Sequence, residues 1–142
     1  MKALLAAVAS MMALLALPGT LPAVATGYAD PATAAPPYID HTQWAQWHGL
    51  ASLRVYPTPS GRTASRQGGT ALPNEAWAEV LALSPDADTP GMRAQFICHW
   101  EFAELAQPGK TSWNLEPFRP LVDDATMVAS GCNPGAPEER LP

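Results

Sequence analysis

Residues 39–56 read IDHTQWAQWHGLASLRVY. His48-Gly49 is a two-residue turn signal, and Leu53 and Val55 alternate with Arg54 and Tyr56. The stretch is therefore read as a β-hairpin with strands at 41–47 and 50–56. Trp44 and Trp47 stand three residues apart, which leaves a short helix at 40–48 as the rival for the first arm. Pro57 and Pro59 end the second strand.

Beyond the hairpin the pattern changes. Residues 60–72, SGRTASRQGGTAL, are polar and Gly-containing and predict a loop carrying the solvated charges Arg62 and Arg66. Residues 74–83, NEAWAEVLAL, place Ala76, Trp77, Val80 and Leu81 on one helical stripe, with Pro73 in the first turn and Pro85 as the stop. Thr89 is an N-cap with Pro90 at the first helical position, predicting a second helix over 90–97. Residues 98–105, CHWEFAEL, fit either a continued helix or a strand. Strict alternation would put Trp100 and Phe102 on one face and His99, Glu101 and Ala103 on the other, and the strand is preferred. Residues 107–110 form a turn and 112–120, SWNLEPFRP, are extended. Asp123-Asp124 reads as a helix cap over 124–129, and Asp86 and Asp88 as turn chemistry. The sum is an α+β fold, a small antiparallel sheet with two short helices packed on one face.

The flanks carry an address. Met1-Lys2 precedes an apolar run at 3–17, which Pro18-Gly19 break before Ala23-Val24-Ala25. That order predicts a signal peptide over 1–25; the run is too short for a stable membrane span. Residues 26–37 are an Ala/Pro-rich leader expected to be flexible, 38–135 a single globular domain and 136–142 a tail. The expected location is secreted, extracytoplasmic. Cys98 and Cys132, the only cysteines, are then expected to form a disulfide.

Composition excludes more than it affirms. The 142 residues are 47% hydrophobic and 15% charged with net charge −5, which disfavours nucleic acid as a partner because phosphate binding wants a basic patch. Walker A and dinucleotide Gly motifs are absent. His41, His48 and His99 lack metal-ligand spacing, so neither a metal nor a cofactor is expected.

Four groups of residues remain as candidates. His99 and Glu101 would share the predicted strand face with Arg54 and Tyr56, a minimal general acid–base set beside an anion-holding guanidinium; a solvated cross-strand ion-pair ladder is the plainer reading. Lys110, Trp113, Asn114, Glu116 and Arg119 crowd into ten residues. They suit a recognition loop with Trp113 as a stacking platform, or simply hydrogen bonds that tie down irregular backbone. Trp77 and Trp100 are assigned to the core, while Trp44, Trp47 and Trp113 are freer to meet a carbohydrate or peptide, with a core role for all five as the default reading. Cys98 is a poor nucleophile candidate, because neighbouring side chains on a strand point to opposite faces and His99 would be badly placed as its base.

SLRVYPT at 52–58, PDADTPGMR at 85–93, QFICHWEFA at 95–103, KTSWNLEPFRP at 110–120 and GCNPG at 131–135 together resemble a family of small exported actinobacterial proteins carrying a domain of unknown function. The resemblance covers nearly all of 38–135 and implies an exported single domain with no assigned activity. The function expected from the sequence is a non-enzymatic binding or cell-envelope interaction module whose partner is a cell-wall glycan or an envelope protein. A small secreted hydrolase using His99 and Glu101 is the alternative. A protease-inhibitor-like domain presenting the 57–70 loop is the second.

Overall fold

The computed structural model describes residues 34–69 and 71–137, with Trp47 described through its backbone. The signal segment, most of the leader and the tail from residue 138 lie outside the described residues.

The hairpin forms, and its first arm is a strand. Strand β1 (Ile39–Trp47) pairs antiparallel with β2 (Leu50–Pro57) through Trp47↔Leu50 to Ile39↔Pro57, with a register shift between Ile39 and His41. His48 and Gly49 close it with φ of 47° and 79°, the two positive values of a type I′ turn. A short strand β3 (Trp113–Leu115) adds to the other side of β2, giving the order β1-β2-β3. Leu53 and Val55 of β2 and Trp113 and Leu115 of β3 turn inward and are fully buried.

The inner face is covered by α1 (Pro59–Gln67), α2 (Leu72–Leu83) and α3 (Pro90–Ala106). Trp77, Phe96, Trp100 and Trp113 form the core with Tyr38; Trp100 meets Trp113 edge-on at 6.0 Å and Trp77 meets Phe96 at 5.4 Å. The helix starts follow the capping chemistry. Thr89 Oγ1 accepts from Met92 N–H at 3.2 Å, and Asp123 Oδ1 accepts from Thr126 N–H at 2.8 Å at the start of α4 (Asp124–Ala129). A 3₁₀ turn, Pro85–Ala87, links α2 to α3.

Three expectations are corrected. Residues 98–105 are not a strand: α3 runs unbroken for 17 residues. Met92, Phe96, Trp100 and Ala103 form one buried helical stripe, and the alternation of Trp100 and Phe102 is a coincidence within it. Residues 59–67 are helix rather than loop. Its buried residues are the small Gly61, Ala64 and Ser65, so no large apolar stripe marks it. Gly61 passes so close to the β1 entry that a Cβ would lie 2.1 Å from the Tyr38 carbonyl oxygen. Arg62 and Arg66 are not solvated loop charges. Both guanidiniums reach from α1 to the Glu104 carboxylate on α3, Arg66 Nη1 at 3.0 Å, and Gly109 N–H donates to the same carboxylate at 3.2 Å.

The ends of the domain are also tied in. Thr58 Oγ1 donates to Pro37 O at 2.8 Å, so the leader is held where it meets α1. Arg119 Nη1 donates to Ala136 O at 2.6 Å, which anchors the start of the tail.

Candidate functional site

Helix α3 seals the open edge of the sheet. Gln95 Nε2 donates to Glu116 O, and Gln95 Oε1 accepts from Glu116 N–H, both at 2.9 Å. One turn later His99 Nε2 donates to Asn114 O at 3.0 Å. The two side chains stand i, i+4 on one helix face, so they meet alternate residues of the extended segment. His99 is buried, and its pKa is lowered to about 3, first by burial and then by the Lys110 and Arg119 charges; the bond to Asn114 O opposes the shift. The imidazole is therefore neutral, with its proton on Nε2.

The predicted acid–base set does not assemble. His99 and Glu101 lie two positions apart on a helix, not a strand, so they point to different sides. His99 is buried and Glu101 exposed. Arg54 and Tyr56 lie on the outer face of β2, where Tyr56 stacks on His41 with ring centroids 4.0 Å apart and donates to Gln43 Oε1 at 3.4 Å.

The crowded segment at 110–119 is mostly turned inward. Trp113 is fully buried and cannot be a stacking platform. Asn114 Oδ1 accepts from Ser112 Oγ at 2.8 Å. Glu116 and Arg119 form a buried ion pair at 2.6 Å, and Ser52 Oγ donates to the other carboxylate oxygen at 2.9 Å. Arg119 also donates to Pro134 O at 3.3 Å. Its hydrogen bonds satisfy backbone carbonyls of the C-terminal segment. The segment at 57–69 is helical over 59–67 and packed against α3, so among the described residues it presents no protruding inhibitor loop.

Another concavity lies on the solvent side of α3. Helix α4 ends in a Schellman motif, with Gly131 N–H donating to Val128 O at 2.9 Å and Cys132 N–H to Met127 O at 3.0 Å. Gly131 takes the left-handed φ of 61° that the motif needs. The turn delivers Cys132 to Cys98 on α3, and the disulfide joins them across 5.5 Å between Cα atoms. Under this bridge is a cavity of ≈ 350 Å³ lined by Cys98, His99, Phe102, Ala103, Ala106, Gln107, Lys110, Val128, Gly131 and Cys132. A second of ≈ 400 Å³, with Ile97, Glu101, Val122 and Asp124 among its walls, shares Cys98, Phe102 and Val128 with the first. Phe102 and Val128 stay 37% and 46% exposed around these openings.

Of the candidate residues, the cleft gathers Cys98, His99, Lys110 and Cys132, and in its second chamber Glu101. Sequence reasoning missed Phe102 and Val128. Phe102 carried a signal: on a helix it falls off the stripe of Phe96, Trp100 and Ala103, which leaves a large apolar side chain facing outward. Among the described residues there is no group of His, Cys, Asp and Glu that could hold a metal ion.

A family model described as "Protein of unknown function (DUF2599)" matches residues 39–135. An uncharacterized protein of Mycobacterium tuberculosis is 60% identical over 150 residues, covering 99% of this chain and 100% of that one, and one of Mycobacterium bovis matches with the same figures. An uncharacterized protein of Mycobacterium leprae is 55% identical over 102 residues, 72% of this chain and 83% of the relative. No solved structure matches the chain.

Proposed function

We propose, for a chain that belongs to this DUF2599 family, that it is an exported, non-enzymatic binding module and that the α3–α4 cleft is where it binds. One observation carries the reading: Phe102 and Val128 remain exposed in the walls of cavities of ligand size beside the disulfide. Isolated exposed apolar residues are ordinary on a protein surface, but two that face each other across one concavity mark a place where water is displaced on binding.

Export is supported by the signal-like order of residues 1–25 and by the Cys98–Cys132 bridge, a bond that persists in oxidising compartments. No helix among the described residues is long and apolar enough to cross a membrane. A non-enzymatic role is supported by the state of His99. An imidazole that is buried, neutral and donating to a backbone carbonyl offers no accessible base at neutral pH. The partner reaches this protein through apolar contact rather than through sugar stacking on Trp113.

Fluorescence titration with a neutral apolar probe, N-phenyl-1-naphthylamine, tests the reading. The unaltered chain should enhance the probe's emission saturably. Val128→Arg should weaken that binding at least tenfold, and Leu83→Arg, an exposed apolar site on α2, should leave it unchanged. Equal binding by all three proteins would refute the cleft as the site.

A further inference from the structure

We infer that the open edge of β1 is an interaction surface for a second copy of this chain, the two β1 strands pairing antiparallel about a two-fold axis at Trp44. Strand β1 ends the order β1-β2-β3, so among the described residues it has a strand on one side only. The backbone groups it leaves over follow from the turn. The two-residue type I′ loop closes on Trp47 and Leu50, which exchange both backbone bonds, and exchanging pairs alternate along an antiparallel ladder. Trp47, Ala45 and Gln43 therefore bond to β2, while Thr42, Trp44 and Gln46 carry N–H and C=O the other way. Among the described residues no backbone meets those six groups.

The edge is also unguarded. Lys, Pro and bulges commonly keep an exposed edge strand from pairing. Residues 39–47 contain no Lys, Arg or Pro, and the register shift lies at the entry, between Ile39 and His41. That entry is closed: Glu79 Oε2 accepts from Tyr38 and Ile39 N–H, and Tyr38 O accepts from Thr58 N–H. The open stretch is 42–46, and its own residue order favours a second copy as occupant. Pairing about Trp44 sets Trp44 against Trp44 and Thr42 against Gln46 of the other copy, so all six groups on each copy are used in one register. Trp44, 39% exposed, gains an aromatic partner across the axis. Asp40, the one carboxylate of β1, comes opposite His48, so no like charges meet. Leu83, also exposed, borders the same edge, one residue from Ser84, whose Oγ lies 2.9 Å from Thr42 Oγ1. The product is a six-stranded antiparallel sheet shared by two copies.

Sedimentation velocity of the full chain over a concentration series tests this. The unaltered chain should move toward twice the chain mass as concentration rises. Gln46→Pro removes an edge-facing N–H and leaves the β1–β2 bonds in place, so it should weaken the dimer about tenfold or more. Leu105→Arg, at an exposed apolar residue on α3, should leave the dimer unchanged. The register has its own test, because the native cysteines are bonded to each other and an introduced one is the single free thiol. At the axis the two Trp44 Cα atoms stand about 5.5 Å apart, within disulfide reach, so Trp44→Cys should give a covalent dimer on mild oxidation. The two Gln46 positions lie four residues out of register, about 13 Å, so Gln46→Cys should not. A monomer at every concentration would overturn the second copy as occupant of this edge. A dimer that survives Gln46→Pro, as association through the apolar run at 3–17 would, overturns the edge, and crosslinking at 46 instead of 44 overturns the register. The cysteine pair decides the matter if the proline variant folds poorly.

Discussion

His99 stays neutral in the folded protein down to about pH 3, and this makes stability depend on pH in a calculable way. In the unfolded chain the same imidazole takes its proton near pH 6.5. Between those values the unfolded state binds one more proton than the native state, so stability rises with pH across that window. The stability present above about pH 6.5 is lost as pH falls, at about 1.4 kcal/mol per pH unit. The loss is about 2 kcal/mol by pH 5 and approaches about 5 kcal/mol near pH 3. The perturbation that isolates this group is His99→Gln. The amide keeps an N–H for Asn114 O and does not titrate. Urea unfolding of both proteins at pH 7 and pH 5 should show the unaltered chain losing about 2 kcal/mol more than the variant. Parallel losses in the two proteins would refute the argument, since they would mean that His99 accepts a proton in the folded state as easily as in water.

Three further perturbations probe the packing. Gly61→Ala places a Cβ 2.1 Å from the Tyr38 carbonyl oxygen, so the variant should lose about 1–3 kcal/mol or more and melt several degrees lower; an unchanged melting temperature would mean that α1 sits further from the β1 entry. Arg62→Met strips a partner from the buried Glu104 carboxylate and should cost about 3 kcal/mol in urea unfolding. Arg66→Ala, at the half-exposed partner, should cost less than about 1 kcal/mol, and a reversed order would contradict the burial argument. Removing the Cys98–Cys132 bridge as the double Ala variant frees a loop closed over a separation of 34 residues and should cost about 4 kcal/mol, with α4 the first element to lose amide protection in hydrogen exchange.

The readings that survived used local signals. The His48-Gly49 turn, the alternation across Leu53 and Val55, the Thr89-Pro90 cap and the Asp123 cap each involve a few neighbouring residues whose chemistry acts within a turn or two. The disulfide followed from cysteine count and compartment. The readings that failed needed a partner distant in sequence. A strand at 98–105 rests on alternation alone, which sets Trp100 and Phe102 against His99, Glu101 and Ala103 and assigns no partner to Glu104. Glu104 is instead buried, and Arg62 and Arg66, 42 and 38 residues earlier, supply the positive charge that makes that burial tolerable. Helix α1 was hidden because its inward face is built from Gly61, Ala64 and Ser65, small residues that fit only because the Tyr38 backbone and α3 lie against them.

The sequence by itself determined that a hairpin opens the domain, where the capped helices α3 and α4 begin and that Cys98 meets Cys132. Turn, cap and pairing preferences are short-ranged, so the chain carries them wherever it goes. Tertiary structure alone decided that Trp113 is core rather than surface, that Glu116 and Arg119 neutralise each other in the interior, and that His99 is uncharged. It also set Phe102 and Val128 across one cleft. The reason is common to all four. Burial is a property of what packs against a side chain, and desolvation, which sets both the charge of an imidazole and the value of an exposed apolar ring, exists only once distant segments have closed over it.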